Sequence, residues 1–130
     1  MIQDTTFVID VLRGDEDAES LLSILEAESR PQKLSAVTVL ELYEGVARAN
    51  TPDDKRREVL DVLESKHVVD ADATVMRKAG QLSGSLVADG ERIEREDCIV
   101  AGTALLNDEP VVTRNVDHYD RIDGLEVRTY

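Results

Sequence analysis

Residues 1–14 read MIQDTTFVIDVLRG, and this stretch decides the fold. Its apolar start predicts a short strand, Asp4 stands where that strand ends, and Phe7–Leu12 continues as a helix. Removing an unpaired carboxylate from water costs several kcal/mol, so an acid inside an apolar segment is a candidate for a functional site. The alternative is an ordinary turn or helix start, which Thr5 and Thr6 are able to cap.

Strands and helices alternate along the rest of the chain. The apolar spacing predicts helices at Asp15–Ser29, Thr38–Val46, Pro52–Leu63 and Asp72–Ala88 and from Arg95 or Glu96 to Leu105, strands at Lys33–Val37, His67–Val69, Pro110–Thr113 and Leu125–Tyr130 (the last at an edge), and a loop at Asn115–Tyr119. Repeated strand, helix, strand crossovers predict the α/β class, as a three-layer α/β/α sandwich with a central, mainly parallel sheet. The length of 130 residues fits one domain, residues 1–130.

Four carboxylates, Asp4, Glu41, Asp97 and Asp117, stand where a predicted strand ends or a helix begins. In an open parallel sheet these positions border one crevice, so acids from distant segments can form a single cluster. Carboxylate oxygens are the ligands that Mg²⁺ and Mn²⁺ prefer, and such ions serve in phosphodiester hydrolysis. The placement therefore predicts a metal-dependent site.

Each acid also has an explanation without chemistry. Thr38 and Glu41 have the spacing of a capping box. Asp97 would stabilise a helix dipole, a role that the neighbouring Glu94 can share or exchange for that of a spare ligand. Asp117 follows a strand, where an acid is common in a turn. The functional interpretation thus depends on the joint arrangement of the four acids.

Other catalytic signatures are absent from the sequence. It has no Walker-type phosphate loop, no GxSxG and no HExxH motif. His118 is near the proposed site but lacks a second histidine for zinc, and His67 is expected to be structural. Cys98 is the only cysteine, so no internal disulfide can form. No export signal or membrane-length apolar run is visible, which predicts a cytoplasmic protein without a membrane partner.

The charge is strongly acidic, with 28 acids against 15 bases, a net charge of −13 and a pI near 4.4. This balance is unusual for a protein that contacts nucleic acid. Only four of the basic residues are lysine. An acidic, lysine-poor surface suits concentrated intracellular salt, so we expect a halophilic source and attribute most of the acids to solvation.

Four blocks of the sequence resemble the PIN-domain ribonucleases, in particular the VapC toxins of type II toxin–antitoxin pairs. The blocks are residues 1–14, residues 35–45 (SAVTVLELYEG), residues 96–106 (EDCIVAGTALL) and residues 111–127 (VVTRNVDHYDRIDGLEV). They occur in the family order at familiar separations and span nearly the whole chain. The combination is specific, although each block alone is weak.

The resemblance implies a PIN-like fold and a Mg- or Mn-dependent endoribonuclease in which Asp4, Glu41 and Asp97 hold the metal. Many members carry an acid or Asn two residues after the closing Thr, and that position is Asn115 here. Because Asn115 is neutral, either Asp117 supplies the fourth charge or three acids carry the site. Thr113 and Asn115 are expected to hold the phosphate or a water, and Arg114 is a further substrate candidate; further phosphate candidates are Arg13, Arg48, Arg92 and Arg95.

The resemblance also implies partners. An RNA substrate and a cognate antitoxin are expected, with an antitoxin helix filling a groove between Asp15–Ser29 and Pro52–Leu63, and a homodimer or higher assembly is expected too. The alternatives are a housekeeping RNA-processing nuclease and a noncatalytic acidic interaction module. A receiver domain would need a lysine after a late strand, and a haloacid-dehalogenase-type phosphatase would need an acid at Thr6, so both are disfavoured.

Overall fold

The structure is a computed structural model that describes residues 1–130. Five short strands form one sheet: β1 (Ile2–Gln3), β2 (Lys33–Ser35), β3 (His67–Val69), β4 (Val111–Val112) and β5 (Val127–Arg128). Seven helices connect them: α1 (Thr5–Leu12), α2 (Glu16–Ala27), α3 (Ala36–Arg48), α4 (Pro52–Ser65), α5 (Ala73–Ala88), α6 (Arg95–Leu106) and α7 (Val116–Tyr119). None of these helices combines the length and the apolarity that crossing a membrane requires.

The strand order is β3-β2-β1-β4-β5, and every neighbouring pair is parallel. The sheet is therefore wholly parallel, including the last edge strand, where the sequence predicted a mainly parallel one. The chain builds outward from β1 in one direction and from β4 in the other. The carboxyl ends of β1 and β4 thus flank the topological switch point, where open α/β sheets usually bind ligands.

The two faces of the sheet bury different helices because side chains alternate along a strand. Ile2 and Val111 lie in one cluster with residues of α5 and α6, such as Ala79 and Val100. On the opposite face, Met1 and Val112 pack with α1 and α2, and Leu34 packs with α1, α3 and α4. The predicted three-layer α/β/α sandwich is confirmed.

Two details of the prediction are wrong. The predicted loop Asn115–Tyr119 contains the short helix α7, which places Tyr119 in the core. Helix α3 begins at Ala36, two residues before the predicted start at Thr38, and its N-cap is Ser35, whose hydroxyl accepts a hydrogen bond from the backbone N–H of Val37 at 3.3 Å. Both corrections change the surroundings of the candidate site.

Candidate active site

Asp4 is the central acid of the site. It follows β1 directly, and its side chain is almost completely buried, with 2% of the residue exposed. Its carboxylate accepts three hydrogen bonds: from the backbone N–H of Thr5 (2.9 Å), the hydroxyl of Thr6 (3.0 Å) and the hydroxyl of Thr113 (2.7 Å). These donors supply the partners that a buried carboxylate needs. Asp4 is itself the N-cap of α1, so the capping role predicted for Thr5 and Thr6 is wrong.

Glu41 reaches the same region from α3. The capping-box interpretation is wrong, because Ser35 caps the helix and Thr38 lies inside it, fully buried. Glu41 instead accepts a hydrogen bond from the hydroxyl of Thr5 at 2.7 Å, and that hydroxyl lies 3.0 Å from the hydroxyl of Thr38. Burial raises the pKa of the Glu41 carboxyl, and the charges of Asp4 and nearby acids raise it further.

Asp97 is the third residue of α6, as expected for an acid at a helix start. Its side chain is 15% exposed, and its Oδ2 lies 2.9 Å from Nδ1 of His118. The hydroxyl of Tyr119 donates to its Oδ1 at 3.4 Å. Burial raises the pKa of the Asp97 carboxyl and the charge of Asp4 adds to this, while the hydrogen bond from His118 opposes it.

Helix α7 supplies two residues whose role the sequence did not reveal. His118 contacts Asp97, although it was considered only as a zinc ligand without a second histidine. Tyr119 is fully buried, and burial together with the charges of Asp4 and Asp97 raises the pKa of its phenol. A signal was present: Val116, Tyr119 and Ile122 follow one another at three-residue spacing, which is typical of one buried helical face.

Asp117 does not join the other three acids. Its side chain is exposed on α7 and has no hydrogen bond to Asp4, Glu41 or Asp97. It borders a shallow polar cleft of about 190 Å³. Asn115, at the start of α7, borders the same cleft and is half-buried, and no hydrogen bond ties down its side chain. The position of the fourth ligand therefore stays a prediction.

Thr113 and Arg114 already have partners within the protein. The hydroxyl of Thr113 donates to Asp4 and accepts from the backbone N–H of Asn115 at 3.0 Å, so it holds the acid in place. Arg114 pairs with Asp10 at 3.1 Å and with Asp15 at 3.0 Å. Its guanidinium also lies 5.0 Å from the ring centre of Tyr130, a cation–π distance. These contacts make Arg114 a clasp between the β4 loop and the first two helices.

The donor set of Asp4, Glu41 and Asp97 fits a hard divalent cation. All three supply carboxylate oxygens, and the electrostatic influence of Asp4 on both of the others shows that they are near neighbours. No three His, Cys, Asp or Glu side chains stand close enough together to share one ion in this conformation. Glu41 and Asp97 are instead occupied by Thr5 and His118.

This fold, with its acids at the carboxyl edge of the sheet, defines a class. The family model of the PIN domain matches residues 1–125, so the chain belongs to the PIN-domain family. Two curated relatives are ribonucleases by name. The tRNA(fMet)-specific endonuclease VapC of Shigella flexneri is 26% identical over 97 residues, covering 75% of this chain and 74% of that protein. Ribonuclease VapC10 of Mycobacterium tuberculosis is 29% identical over 126 residues, covering 97% and 90%.

Solved structures show the same fold. A chain of VapBC2 from Rickettsia felis, bound to a promoter DNA fragment, superposes with a TM-score of 0.89 at 20% identity, covering 99% of this chain and 97% of that one. A chain of DNA-bound VapBC from Salmonella typhimurium gives a TM-score of 0.87 at 22% identity, covering 98% and 96%. The predicted PIN-like fold is confirmed.

Proposed function

We propose that this protein is a metal-dependent endoribonuclease that acts as the toxin of a type II toxin–antitoxin pair. The observation that carries the proposal is the position of Asp4 and Asp97, which both border the carboxyl edge of the sheet in a chain that the PIN-domain model matches over residues 1–125. The curated relatives named as VapC ribonucleases and the VapBC structures support the same activity and the same kind of partner.

Asp4, Glu41 and Asp97 would hold Mg²⁺ or Mn²⁺, which lowers the pKa of a bound water and stabilises charge on the phosphate and the leaving oxygen. The protein's own contribution is to fix the acids. Thr113 and Thr6 orient Asp4 from two sides, so one carboxylate is fixed before any ligand arrives. Glu41 would join the inner shell or orient the water by exchanging its hydrogen bond with Thr5.

The decisive experiment compares the purified parent, free of any partner, with Asp4→Ala and Asp97→Asn. We expect the parent to cleave total RNA in Mn²⁺ and both variants to lose at least about a hundredfold in rate, the usual order when a catalytic group is removed. Calorimetric titration with Mn²⁺ should show weaker binding by both variants. Unchanged Mn²⁺ affinity in both would support the noncatalytic acidic module instead.

An RNA-processing enzyme is the second candidate within the same activity. A short open reading frame for an antitoxin beside the gene would favour the toxin, and its absence would favour processing. Cleavage of many cellular RNAs in growing cells, with growth arrest on induction, is expected for a toxin. Restriction to one precursor RNA with no growth defect would contradict the toxin proposal.

The apolar cleft between α1, α2 and α4 supports an antitoxin helix as partner. Phe7, Val8, Val11 and Leu12 of α1 line it with Leu22 of α2 and Val62 of α4, so α1 forms much of a groove that the sequence assigned to the other two helices. The cleft is narrow, with a volume of about 40 Å³, so it suits apolar side chains that project from a helix lying across it. Leu22→Glu should weaken capture of a co-expressed antitoxin and leave cleavage by the free protein unchanged.

A homodimer is the remaining part of the proposal. Large apolar side chains stay exposed on the single chain, among them Leu40, Met76 and Val87. Sedimentation equilibrium of the free protein should give twice the chain mass of 14.4 kDa. A chain that stays at its own mass at all accessible concentrations would contradict this part alone.

A further inference from the structure

We propose that the cleft lined by Arg13, Arg48 and Lys55 binds the RNA backbone next to the scissile bond, through phosphates one or more nucleotides away. The inference rests on the proposed ribonuclease activity and adds to it a second contact region with named residues. The sequence offered five arginines as equal phosphate candidates. The structure separates two of them from the rest and adds Lys55.

The cleft begins at the candidate active site. Its lining joins the end of α1 (Ile9 and Arg13), the outer part of α3 from Glu41 to Ala49, and Lys55 of α4. Glu41 is shared by both regions, because its carboxylate also accepts the hydrogen bond from Thr5 beside Asp4. The volume of about 450 Å³ lies within the range typical of ligand sites, about 300–1,000 Å³. A chain leaving the acids thus has a continuous path into this cleft.

The charge of the lining is opposite to that of the protein. Three cations and one acid, Glu41, line a cleft in a chain whose net charge is −13. The side chain of Arg13 forms no ion pair and no hydrogen bond. Arg48 lies 3.9 Å from Glu44, and Lys55 lies 3.6 Å from Glu58, both at the long end for a salt bridge. Such exposed pairs contribute little, so these cations remain available for an anion.

The other candidate arginines are placed differently. Arg114 is held by Asp10 and Asp15, and Arg95 lines a separate cleft between α5 and α6. Guanidinium groups arranged along a groove track a phosphate backbone without reading the bases. The cleft therefore contributes affinity and direction of entry for a single strand rather than sequence choice.

Helix stability is the competing role for two of these cations. Arg13 caps the end of α1, and Arg48 occupies the last turn of α3, where a cation stabilises the helix dipole. A loss of RNA binding on their removal therefore needs a second variant that adds charge without removing anything. Gly45 offers it, because a side chain there would meet no atom within 4 Å.

The test measures binding of a short, fluorescein-labelled single-stranded RNA in EDTA, so that metal and cleavage do not enter. The first variant combines Arg13→Gln, Arg48→Gln and Lys55→Gln; its matched control carries the same change at three exposed arginines outside the cleft, Arg56, Arg57 and Arg77. The second variant is Gly45→Glu, and its control is Gly80→Glu, another helical glycine with open space around it. Thermal unfolding of each variant checks its fold.

We expect the triple variant to bind the RNA roughly tenfold more weakly than its control and to flatten the dependence of log Kd on log salt by about 2, since each phosphate contact on a single strand contributes about 0.7. Gly45→Glu should weaken binding in the same direction, and Gly80→Glu should not. Equal losses in variants and controls, or no loss in either pair, would overturn the inference. Unchanged RNA binding with lost antitoxin binding would also overturn it and assign the cleft to the protein partner.

The outcome is separable from that of the proposed function. If the parent cleaves RNA in Mn²⁺ but the cleft variants bind it normally, only the inference fails. If the parent neither cleaves nor binds RNA, the ribonuclease proposal fails, and the inference fails with it.

Discussion

At the scale of single residues, threonine hydroxyls set the geometry of the acids. Thr113 and Thr6 donate to Asp4, and Thr5 donates to Glu41, so each carboxylate has a short neutral partner in place of a cation. A neutral donor satisfies a buried carboxylate but leaves its negative charge in place. The site therefore keeps its attraction for a metal ion while remaining ordered without one.

Thr113→Val tests this arrangement. The substitution keeps the shape but removes the 2.7 Å hydrogen bond to a buried carboxylate, so we expect a loss of about 1–3 kcal/mol in the free energy of unfolding, with weaker Mn²⁺ binding. Thr103→Val is the matched control: Thr103 is equally buried, but its hydroxyl bonds only to the backbone carbonyl of Ile99 within α6. Urea unfolding of both should show the larger loss at Thr113. Equal losses would mean that the hydroxyl does not support Asp4.

Glu41→Gln should reveal the strain of the acidic cluster through pH. The folded pKa of Glu41 is raised, so between its ordinary value and the folded value the folded state binds more protons than the unfolded state, and stability falls as pH rises. The neutral variant avoids this loss. Without divalent ions, its thermal midpoint should exceed that of the parent at pH 7, and the difference should vanish below pH 4, where both states are protonated. A difference that does not change with pH would contradict the raised pKa.

Residue positions were predictable where one chemical fact decided them. An acid directly after an apolar strand, as at Asp4, or at a helix start, as at Asp97, has few alternatives. The environment of Glu41 was not predictable, because Thr38 fits a capping box as well in sequence as Ser35 fits a simple cap in the structure. Thr5 and Tyr119 reach the acids only through tertiary packing, which no local spacing encodes.

At the scale of elements, the packing of α5 on α6 supports the helix that carries Asp97. Gly102 of α6 lies against the backbone of α5: a Cβ there would be 3.3 Å from the nitrogen of Ala79 and 3.4 Å from the carbonyl oxygen of Val75. Backbone atoms cannot move aside without shifting the helix. Gly80 and Gly84 of α5, in contrast, face open space.

The two kinds of glycine should respond oppositely to alanine. Gly80→Ala gains helix propensity without a clash and should stabilise the protein by about 0.5–1 kcal/mol. Gly102→Ala gains the same propensity but must push α5 away, and overpacking of this kind costs about 1–3 kcal/mol, so it should be less stable than the parent. Guanidinium unfolding of the two variants decides the question. A Gly102→Ala variant more stable than the parent would show that the helices separate easily.

Long elements were predictable because their apolar spacing repeats over several turns. Helices α2, α4, α5 and α6 begin and end within two residues of their predicted bounds, and the strands follow the predicted order. Helix α7 has only four residues, too short for a period to be recognised, and it forms because Tyr119 is buried beneath the acids. The direction of β5 depends on its pairing with β4, which the sequence of the strand alone does not specify.

At the scale of the whole molecule, the net charge of −13 is spread over helices that face solvent. The first turn of α2 alone carries Glu16, Asp17 and Glu19, and Asp53 and Asp54 stand in the first turn of α4. Charges at these positions favour the helix dipole but repel one another across the surface. The cleft with Arg13, Arg48 and Lys55 interrupts this acidic surface beside the site.

The halophilic interpretation stays a prediction, and salt dependence tests it. The screening length falls from about 10 Å at 0.1 M salt to about 3 Å at 1 M, so self-repulsion between surface acids should fade over this range. We expect the thermal midpoint to rise steeply between 0.1 and 1 M KCl, with sucrose at matched osmolality as the control for excluded-solute effects. If KCl stabilised no better than sucrose, repulsion would not limit stability, and the acidic composition would need an explanation other than adaptation to salt.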